Sequence, residues 1–365
     1  MRRQGPAQPP SPLQHAPRVA SSSLRLPRPA PQLVIMNSYS LLLHRPAVNA
    51  IGSSRNAGRL FLPDRLSGRP VHDARRDARM ALDHERLLTL QLPDRRQGFS
   101  RKDAIFYALS IGIGTDPLDP DQLKFVYEKQ LQAFPAIAHI LAMETDWIFD
   151  PANGLDLTRL LHLDSGLTMH QPLPSAGTLN SKMRISAVHD QGEGRGAIVR
   201  FDRDLYDVDR DLLCATVTGA FYLRGQGGFG GAAPPPSSAP VVPDRAPDAS
   251  CDLATHPEAA LLYRLNHDMN PIHVDPAIAR AAGFERPLLH GACTYAIACH
   301  AFVRSLCGYD AARLRRFDAR FSAPVFPGDT LRTDFWAIGD NRFAFTCRAV
   351  ERDMIVLNSG LAAHY

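Results

Sequence analysis

The sequence lacks a segment of about 20 apolar residues, the length that an α-helix needs to cross a bilayer. The best candidate, residues 33–51, is interrupted by His44-Arg45-Pro46. None of the six cysteines belongs to a Cys-x-x-Cys pair, and the C-terminus is not a Ser-Lys-Leu-like peroxisomal signal. This pattern favours free thiols in a reducing compartment, so we predict a cytoplasmic protein without a membrane span, while organelle import through the N-terminal segment stays open.

Acidic residues and lysine are scarce in residues 1–79, which contain thirteen arginines, no lysine and three acids. The rest of the chain has 34 acidic and 28 basic residues and is therefore acidic, so we expect no nucleic-acid partner. Residues 1–79 show no sustained periodicity. We interpret them as a disordered basic leader or as a mis-assigned start, and favour the second because periodicity begins only after Met80.

The first half of the remaining chain predicts two helical stretches followed by strands. Residues 101–112 predict a short helix, and residues 123–143 predict a helical element interrupted at Pro135. Apolar residues alternate over 213–223, with partner strands expected at 181–188 and 196–206. Residues 225–250 contain Gly-Gly-Phe-Gly-Gly and a run of prolines, which predicts a linker rather than a strand.

The second half repeats this plan, with a helix expected over 291–306. Strands are then expected at 315–323, 330–338, 342–351 and 354–363. A helix followed by antiparallel strands, twice, indicates an α+β protein. The predicted regions are 1–79 as leader, 80–231 as first repeat, 232–252 as Pro-rich linker and 253–365 as second repeat.

The segment most informative about chemistry is Asp268-Met269-Asn270-Pro271-Ile272-His273. Pro271 fixes its own φ angle and disfavours helical geometry at Asn270, which predicts a rigid loop. Such a loop can hold an acid and an imidazole towards one point, as proton transfer near neutral pH requires. From the residues alone, a turn that caps a helix is the commoner explanation of an Asp/Asn/Pro cluster.

The pattern Asp-x-Asn-Pro-x-His, followed by Asp275-Pro276 and Pro287-Leu288-Leu289-His290-Gly291, resembles the signature of MaoC-like enoyl-CoA hydratases. The resemblance covers residues 82–365 and extends to the hydratase part of peroxisomal multifunctional enzyme type 2. The stretches that carry it elsewhere are 107–112, 123–128, 227–231, 319–325 and 327–331. It implies two hotdog repeats, each an antiparallel sheet wrapped on a central helix, of which only the second is catalytic.

The resemblance further implies reversible hydration of trans-2-enoyl-CoA to (3R)-3-hydroxyacyl-CoA, without a metal or cofactor because CoA is part of the substrate. Asp268 and His273 would hold the water that adds to C3 and return a proton to C2. Asn270 would position that water or the imidazole. The remaining implied site residues bind the substrate: Gly291 as oxyanion donor at the start of the central helix, Phe321 in the substrate channel, and His162 in a CoA-binding stretch. An acyl-CoA thioester is thus the expected partner, and a homodimer is compatible with the resemblance.

Three positions depart from the family pattern. His267 stands where the family often has glycine before the catalytic aspartate. The CoA-binding stretch His-Gly-Glu-Gln is replaced by His162-Leu163-Asp164-Ser165, and the lysine of an Asp-Lys-Gly turn is Gln191. The catalytic loop and the CoA-binding segments are therefore the places where this chain is expected to differ from its family.

Two rival functions fit a hotdog fold. An acyl-CoA thioesterase usually places a carboxylate on or near the central helix, and residues 291–306 contain no Asp or Glu. A non-catalytic acyl-CoA or acyl-carrier binding module would not need the intact Asp/Asn/His set. A third idea, a metal site formed by His290, Cys293, Cys299 and His300, matches no common zinc spacing, and we interpret these residues as packed helix residues.

Overall fold

The computed structural model of the protein describes Met1 and residues 82–365, so apart from Met1 the predicted leader lies outside the described residues. Ten strands and seven α-helices are found in this part of the chain. None of the described helices has the length and apolar character needed to cross a membrane.

The first half contains short helices and five strands. Its helices are α1 (His84–Thr89), α2 (Arg101–Ser110), α3 (Leu123–Val126) and α4 (Asp146–Phe149), with a 3₁₀ helix at Pro135–His139 between the last two. Its strands are β1 (Arg95–Phe99), β2 (Leu160–Met169), β3 (Gly177–Asp190), β4 (Gly196–Asp207) and β5 (Leu212–Arg224). Helix α2 and strands β3–β5 were predicted from periodicity and are confirmed, whereas β1 and β2 were not predicted.

The second half contains one long helix and another five strands. Its helices are α5 (Ala259–Tyr263), α6 (Pro276–Ala281) and α7 (Gly291–Cys307), with a 3₁₀ helix at Pro271–His273. Its strands are β6 (Ala249–Ala254), β7 (Leu314–Phe321), β8 (Thr330–Ala337), β9 (Arg342–Ala349) and β10 (Met354–His364). Helix α7 and strands β7–β10 were predicted within two residues at each end.

All ten strands form one antiparallel sheet in the order β1-β3-β4-β5-β2-β7-β10-β9-β8-β6. The order of the second half mirrors that of the first, with β7 in the place of β2 and β6 in the place of β1. The two halves are therefore two copies of one strand arrangement joined edge to edge. This confirms the α+β class and the two hotdog repeats.

The two repeats meet where β2 pairs with β7, from Asp164 opposite Arg320 to Thr168 opposite Arg316. Gly166 lies in the middle of this seam, opposite Asp318. A Cβ atom on Gly166 would lie 2.4 Å from the Thr218 hydroxyl and 2.6 Å from the Asp318 carboxylate. Only glycine therefore leaves room for these two side chains at the seam.

The repeats differ in the helix that their sheet encloses. In the second repeat, the enclosed helix is α7, and most of its 17 residues are buried against the sheet. In the first repeat, the expectation of a helical element over 123–143 is wrong for most of its length. Pro135 starts a 3₁₀ helix of only five residues, and the left-handed φ angles of Gln130 (60°) and Ala142 (52°) bound the segment on either side.

The Gly- and Pro-rich segment, residues 225–250, is hydrogen-bonded to the first repeat near its start and joins the sheet at its end. The Asp190 carboxylate accepts backbone N–H bonds from Gly192 and Gly228 at 2.7 Å and from Gly230 at 2.8 Å. The expectation that residues 225–250 form no strand is wrong at Ala249, where β6 begins and pairs with β8.

We predict that Asp190→Asn lowers the stability of the protein at neutral pH. The N–H bonds, that of Gly228 foremost, lower the pKa of Asp190, and an amide would turn its own N–H towards one of the donors. The loss should be about 1.5–3 kcal/mol, the usual contribution of a hydrogen bond to a charged group. Urea unfolding measures it.

The pH dependence of this effect follows from the sign of the shift. Because the pKa of Asp190 is lower in the folded state, its contribution is complete above the unfolded value of about 3.9 and is lost as the pH falls through the folded value. The difference between the wild type and Asp190→Asn should therefore shrink in acid. Glu258→Gln, at an exposed carboxylate, is the control. An equal difference at every pH would contradict the prediction.

Candidate active site

The loop between α5 and α6 carries the Asp-x-Asn-Pro-x-His pattern. Asn270 has φ −56° and ψ 123°, the extended conformation expected of a residue before proline. Its side-chain oxygen accepts the Ile272 N–H at 3.1 Å and so caps the 3₁₀ helix that begins at Pro271. The interpretation of this cluster as a helix cap is thus correct for Asn270. Because His273 is the last residue of the capped 3₁₀ helix, the cap also helps to orient the His273 side chain.

His267 occupies a backbone conformation that glycine adopts more easily. Its φ angle is 73°, in the left-handed region. The loop therefore keeps a geometry that suits the family's usual glycine, at the cost of strain at a residue with a side chain. Asp268 follows directly, and its carboxylate accepts the Asn270 N–H at 3.3 Å.

His273 is buried, and its Nδ1 atom lies 2.9 Å from the Leu288 carbonyl oxygen. Because a carbonyl only accepts, Nδ1 carries the proton, and the lone pair of a neutral ring is left on Nε2. The ring of His290 stacks on that of His273 with centroids 3.7 Å apart, and its Nε2 donates to the Asp268 carbonyl at 3.2 Å. His290 was expected to be a packed helix residue, and its place against His273 was missed.

Asp268, His273 and His290 present side-chain donor atoms that all lie within 4.8 Å of one another. These three residues are the group of described residues best placed to hold a metal ion. The stacked rings are nearly parallel, at 25°, so their in-plane lone pairs cannot both point at one ion between them. The arrangement suits proton transfer between an acid and an imidazole better than coordination.

Burial governs the protonation of this group. It raises the pKa of Asp268, and the nearby His273 opposes that rise. Burial likewise lowers the pKa of His273 against the opposing effect of Asp268. The pKa of His290 is lowered to about 2, by burial and then by His273. The carboxyl and the His273 imidazole are thus brought closer in proton affinity than in water, which favours proton exchange between them.

Residues from both repeats line a cavity of about 100 Å³ next to this loop. Asp268, His273 and Gly291 lie on the side of the second repeat. His162 and an apolar wall face them from the first repeat, which has the 3₁₀ helix Pro135–His139 beside the cavity. The wall includes Ile140, Met143, Ile148, Phe149, Leu160, Phe201 and Phe221.

A smaller cavity of about 50 Å³ adjoins the first and is lined by His162, His273, Gly291 and Phe321. The rings of His162 and Phe321 contact each other across the β2–β7 seam, with centroids 4.8 Å apart. Of the six predicted site residues, five therefore line these two cavities. Asn270 is not among the residues that line them, although its side-chain nitrogen is buried without a partner among the described residues.

Gly291 is the first residue of α7, where backbone N–H groups have no partner within the helix. A Cβ atom on Gly291 would lie 3.4 Å from the ring of Phe321. The position therefore combines an available N–H, the positive end of the α7 dipole and space for a ligand against the backbone.

The two first-repeat departures from the family pattern lie in one polar cavity of about 560 Å³ beside the seam. Gln191 and Asp164 line it together with Arg316 and Arg320. Asp164 is paired with Arg200 at 3.0 Å. Arg316 is likewise paired with Asp318, which also lines the cavity, at 2.6 Å. The lining therefore carries three arginines and two aspartates, a net positive charge although the expected lysine is absent.

Comparison with known families assigns most of the described chain to two domains. Residues 98–225 match the MFE-2 hydratase 2 N-terminal domain, and residues 238–358 match the MaoC like domain. The chain is 36% identical to the peroxisomal enoyl-CoA hydratase 2 of Arabidopsis thaliana, over 74% of this chain and 92% of that protein. It is 38% identical to 3-hydroxyacyl-thioester dehydratase Y of Mycobacterium tuberculosis, over 71% of this chain and 90% of that protein.

Solved structures show the same fold. A MaoC-like dehydratase from Phytophthora capsici superimposes with a TM-score of 0.68 at 28% identity, covering 77% of this chain and 98% of that one. The peroxisomal multifunctional enzyme type 2 of Drosophila melanogaster gives a TM-score of 0.63 at 29% identity, covering 74% of this chain and 48% of that one.

We predict that Asp268→Asn lowers the pKa of His273 further. The Asp268 carboxylate is the larger of two effects that oppose burial at that imidazole, so neutralising it leaves only the bond to the Leu288 carbonyl to raise the pKa of His273. NMR titration of the imidazole signals measures the change, with the His273 signal assigned by its loss in His273→Gln. An unchanged or higher pKa of His273 would show that the two side chains do not interact.

Proposed function

Since the chain belongs to the two-repeat MaoC-like enoyl-CoA hydratase family, we propose that it reversibly hydrates trans-2-enoyl-CoA to (3R)-3-hydroxyacyl-CoA. The observation that carries this proposal is the convergence of Asp268, His273 and Gly291 on one cavity with an apolar wall. A cavity of this kind suits an acyl chain whose reactive end meets an acid–base pair and a backbone N–H.

His273 acts on the attacking water through Nε2, because Nδ1 is committed to the Leu288 carbonyl. The oxygen and one proton of the water become the hydroxyl on C3. The other proton passes through the Asp268–His273 pair to C2 on the same face. The raised pKa of Asp268 and the lowered pKa of His273, both due first to burial, favour this exchange because they bring the two proton affinities closer than in water.

Gly291 stabilises the negative charge that develops on the thioester oxygen when water adds to C3. Its N–H lies in the first turn of α7, and the helix dipole adds to its effect. The neighbouring Phe321 ring and His162 hold the thioester against this donor. Asn270 acts on geometry rather than on the substrate, because its oxygen caps the helical turn that presents His273.

A cytoplasmic location and a homodimer stay predictions, and proteins described as peroxisomal are among the relatives.

We predict that Asp268→Asn and His273→Gln each reduce kcat by about 10²–10⁴-fold, the usual contribution of general acid–base catalysis. Because the two groups act on one water, the double variant should be little slower than either single one. KM should change less than kcat, since both groups act on charge that develops in the transition state. Asn270→Ala should lie between these variants and the wild type.

The assay measures hydration as the loss of enoyl absorbance with crotonyl-CoA and longer substrates. Coupling to an R-specific dehydrogenase detects the (3R) product, and a free-thiol reagent detects thioester hydrolysis. Asp244→Asn and His256→Gln make the same chemical changes at exposed positions outside the cavities and should retain wild-type rates. A mainly (3S) product, or near-wild-type kcat in the single variants, would refute the proposal. Thiol release without hydration would indicate the thioesterase instead.

We also predict better turnover of medium- or long-chain substrates than of the four-carbon one. The first repeat has no long helix beneath its sheet, and apolar residues such as Ile140 and Met143 line the space instead. Met143→Trp, which narrows this wall, should reduce kcat/KM for the longer substrates more than for crotonyl-CoA. A strict preference of the wild type for the four-carbon substrate would contradict this chain-length prediction.

A further inference from the structure

His139 is an unusual residue in the apolar wall of the larger cavity. It is the last residue of the 3₁₀ helix in the first repeat and lines the cavity together with Ile140 and Met143. Both of its ring nitrogens are buried, and neither makes a well-formed hydrogen bond with a described residue. A polar group in this state needs a partner, because burial has removed water without supplying a replacement.

The described neighbours of His139 pack against its ring but do not form hydrogen bonds with its nitrogens. The ring packs against Tyr295 of α7, with centroids 4.5 Å apart. The Ala136 carbonyl raises the pKa of the imidazole against the effect of burial, but its position does not meet hydrogen-bond geometry. Packing alone would be served as well by leucine or phenylalanine, which would leave no polar group unpaired.

Arg203 fixes the backbone on which His139 stands. Its buried guanidinium, on β4, donates to the carbonyl oxygens of Ala138 at 2.7 Å and His139 at 3.1 Å, and also to that of Leu141. A cation at this end of a helical turn interacts favourably with the exposed carbonyls. His139 is therefore held in the wall by specific bonds rather than left there by loose packing.

His139 is neutral across the physiological range. Its pKa is lowered to about 3, first by burial and then by the charge of Arg203 and by His162. A neutral imidazole offers one N–H donor and one nitrogen acceptor. It can therefore recognise an uncharged oxygen, such as a hydroxyl or a ketone, and gives no advantage to an anion.

We propose that His139 contacts the acyl group of the substrate and selects acyl chains that carry a hydroxyl or keto oxygen beyond the reacting double bond. This inference rests on the proposed hydration at Asp268 and His273, and it adds the chemical class of the acyl chain. The discrimination arises because a plain chain leaves the buried imidazole unpaired, whereas an oxygenated chain satisfies it.

The test compares pairs of ten-carbon trans-2-enoyl-CoA substrates that differ only by one hydroxyl or keto group at successive carbons beyond C4. For at least one position, wild-type kcat/KM should favour the oxygenated substrate by about tenfold or more. His139→Leu should abolish or reverse that preference, and His139→Gln, which keeps a donor and an acceptor, should retain part of it. Equal rates for both members of every pair in the wild type would overturn the inference.

Two further measurements separate recognition from structure. His170→Leu makes the same change at an exposed histidine outside the cavities and should leave the substrate ratio unchanged. The Tm of His139→Leu should equal or exceed that of the wild type, because an unpaired buried group is removed. A lower Tm together with an unchanged ratio would show that His139 is structural and would overturn the inference.

The substrates without a hydroxyl or keto group distinguish a failure of this inference from a failure of the proposed function. Hydration of plain enoyl-CoA by the wild type without any preference would refute the role of His139 alone. No hydration of any member of the series would refute the proposed function itself.

Discussion

The pairing of β2 with β7 is the contact on which the rest of the structure depends. It joins two five-stranded arrangements into one sheet, and so places the inner faces of the two repeats side by side. His162 of β2 and Phe321 of β7, which lie at the same end of this pairing, then meet with ring centroids 4.8 Å apart and form a shared wall of the site. Neither repeat alone could enclose the cavity, because the reactive loop belongs to one repeat and most of the apolar wall to the other.

Removal of water from this cavity determines which of its groups are charged. Burial lowers the pKa of His162 to about 4 and that of His290 to about 2, so both rings are neutral near neutral pH. The stack of His273 on His290 reinforces this, since two charged rings 3.7 Å apart would repel each other strongly. In the proposed reaction, the transferred proton would therefore be confined to the Asp268–His273 pair, with the remaining imidazoles as neutral walls or donors.

The sequence predicts those features that are set by neighbouring residues. The rigid loop at Asn270 follows from Pro271, and strands β8 and β9 follow from regular alternation. Strand β2 escaped prediction because a bulge between His162 and Asp164 interrupts the alternation, and because neighbours on both edges bury it. Periodicity was also misleading around Pro135, where apolar spacing suits a helix and the chain instead turns through left-handed residues.

In the candidate site, too, residues within one short motif could be predicted from the sequence, whereas contacts between distant segments could not. Asp268 and His273 could be identified because they belong to one short motif, and Gly291 because it begins a long predicted helix. The contact of His290 with His273 could not be inferred, since it depends on how α7 returns to the loop. His139 carries no sequence signal at all, because an isolated histidine in an apolar stretch acquires meaning only from the cavity that it lines.

The replacement of a long helix by a 3₁₀ helix is what makes the first repeat useful to the second. A short helical segment leaves backbone carbonyls without partners, and a cavity beside them would tend to collapse or admit water. Arg203 meets both difficulties, because its guanidinium reaches three of these carbonyls and its own burial beneath them fills the space behind the wall. Burying a cation is costly unless it is well bonded, so the carbonyls and the arginine stabilise each other. The first repeat can therefore dispense with a central helix and still keep an open wall opposite the loop that carries Asp268 and His273.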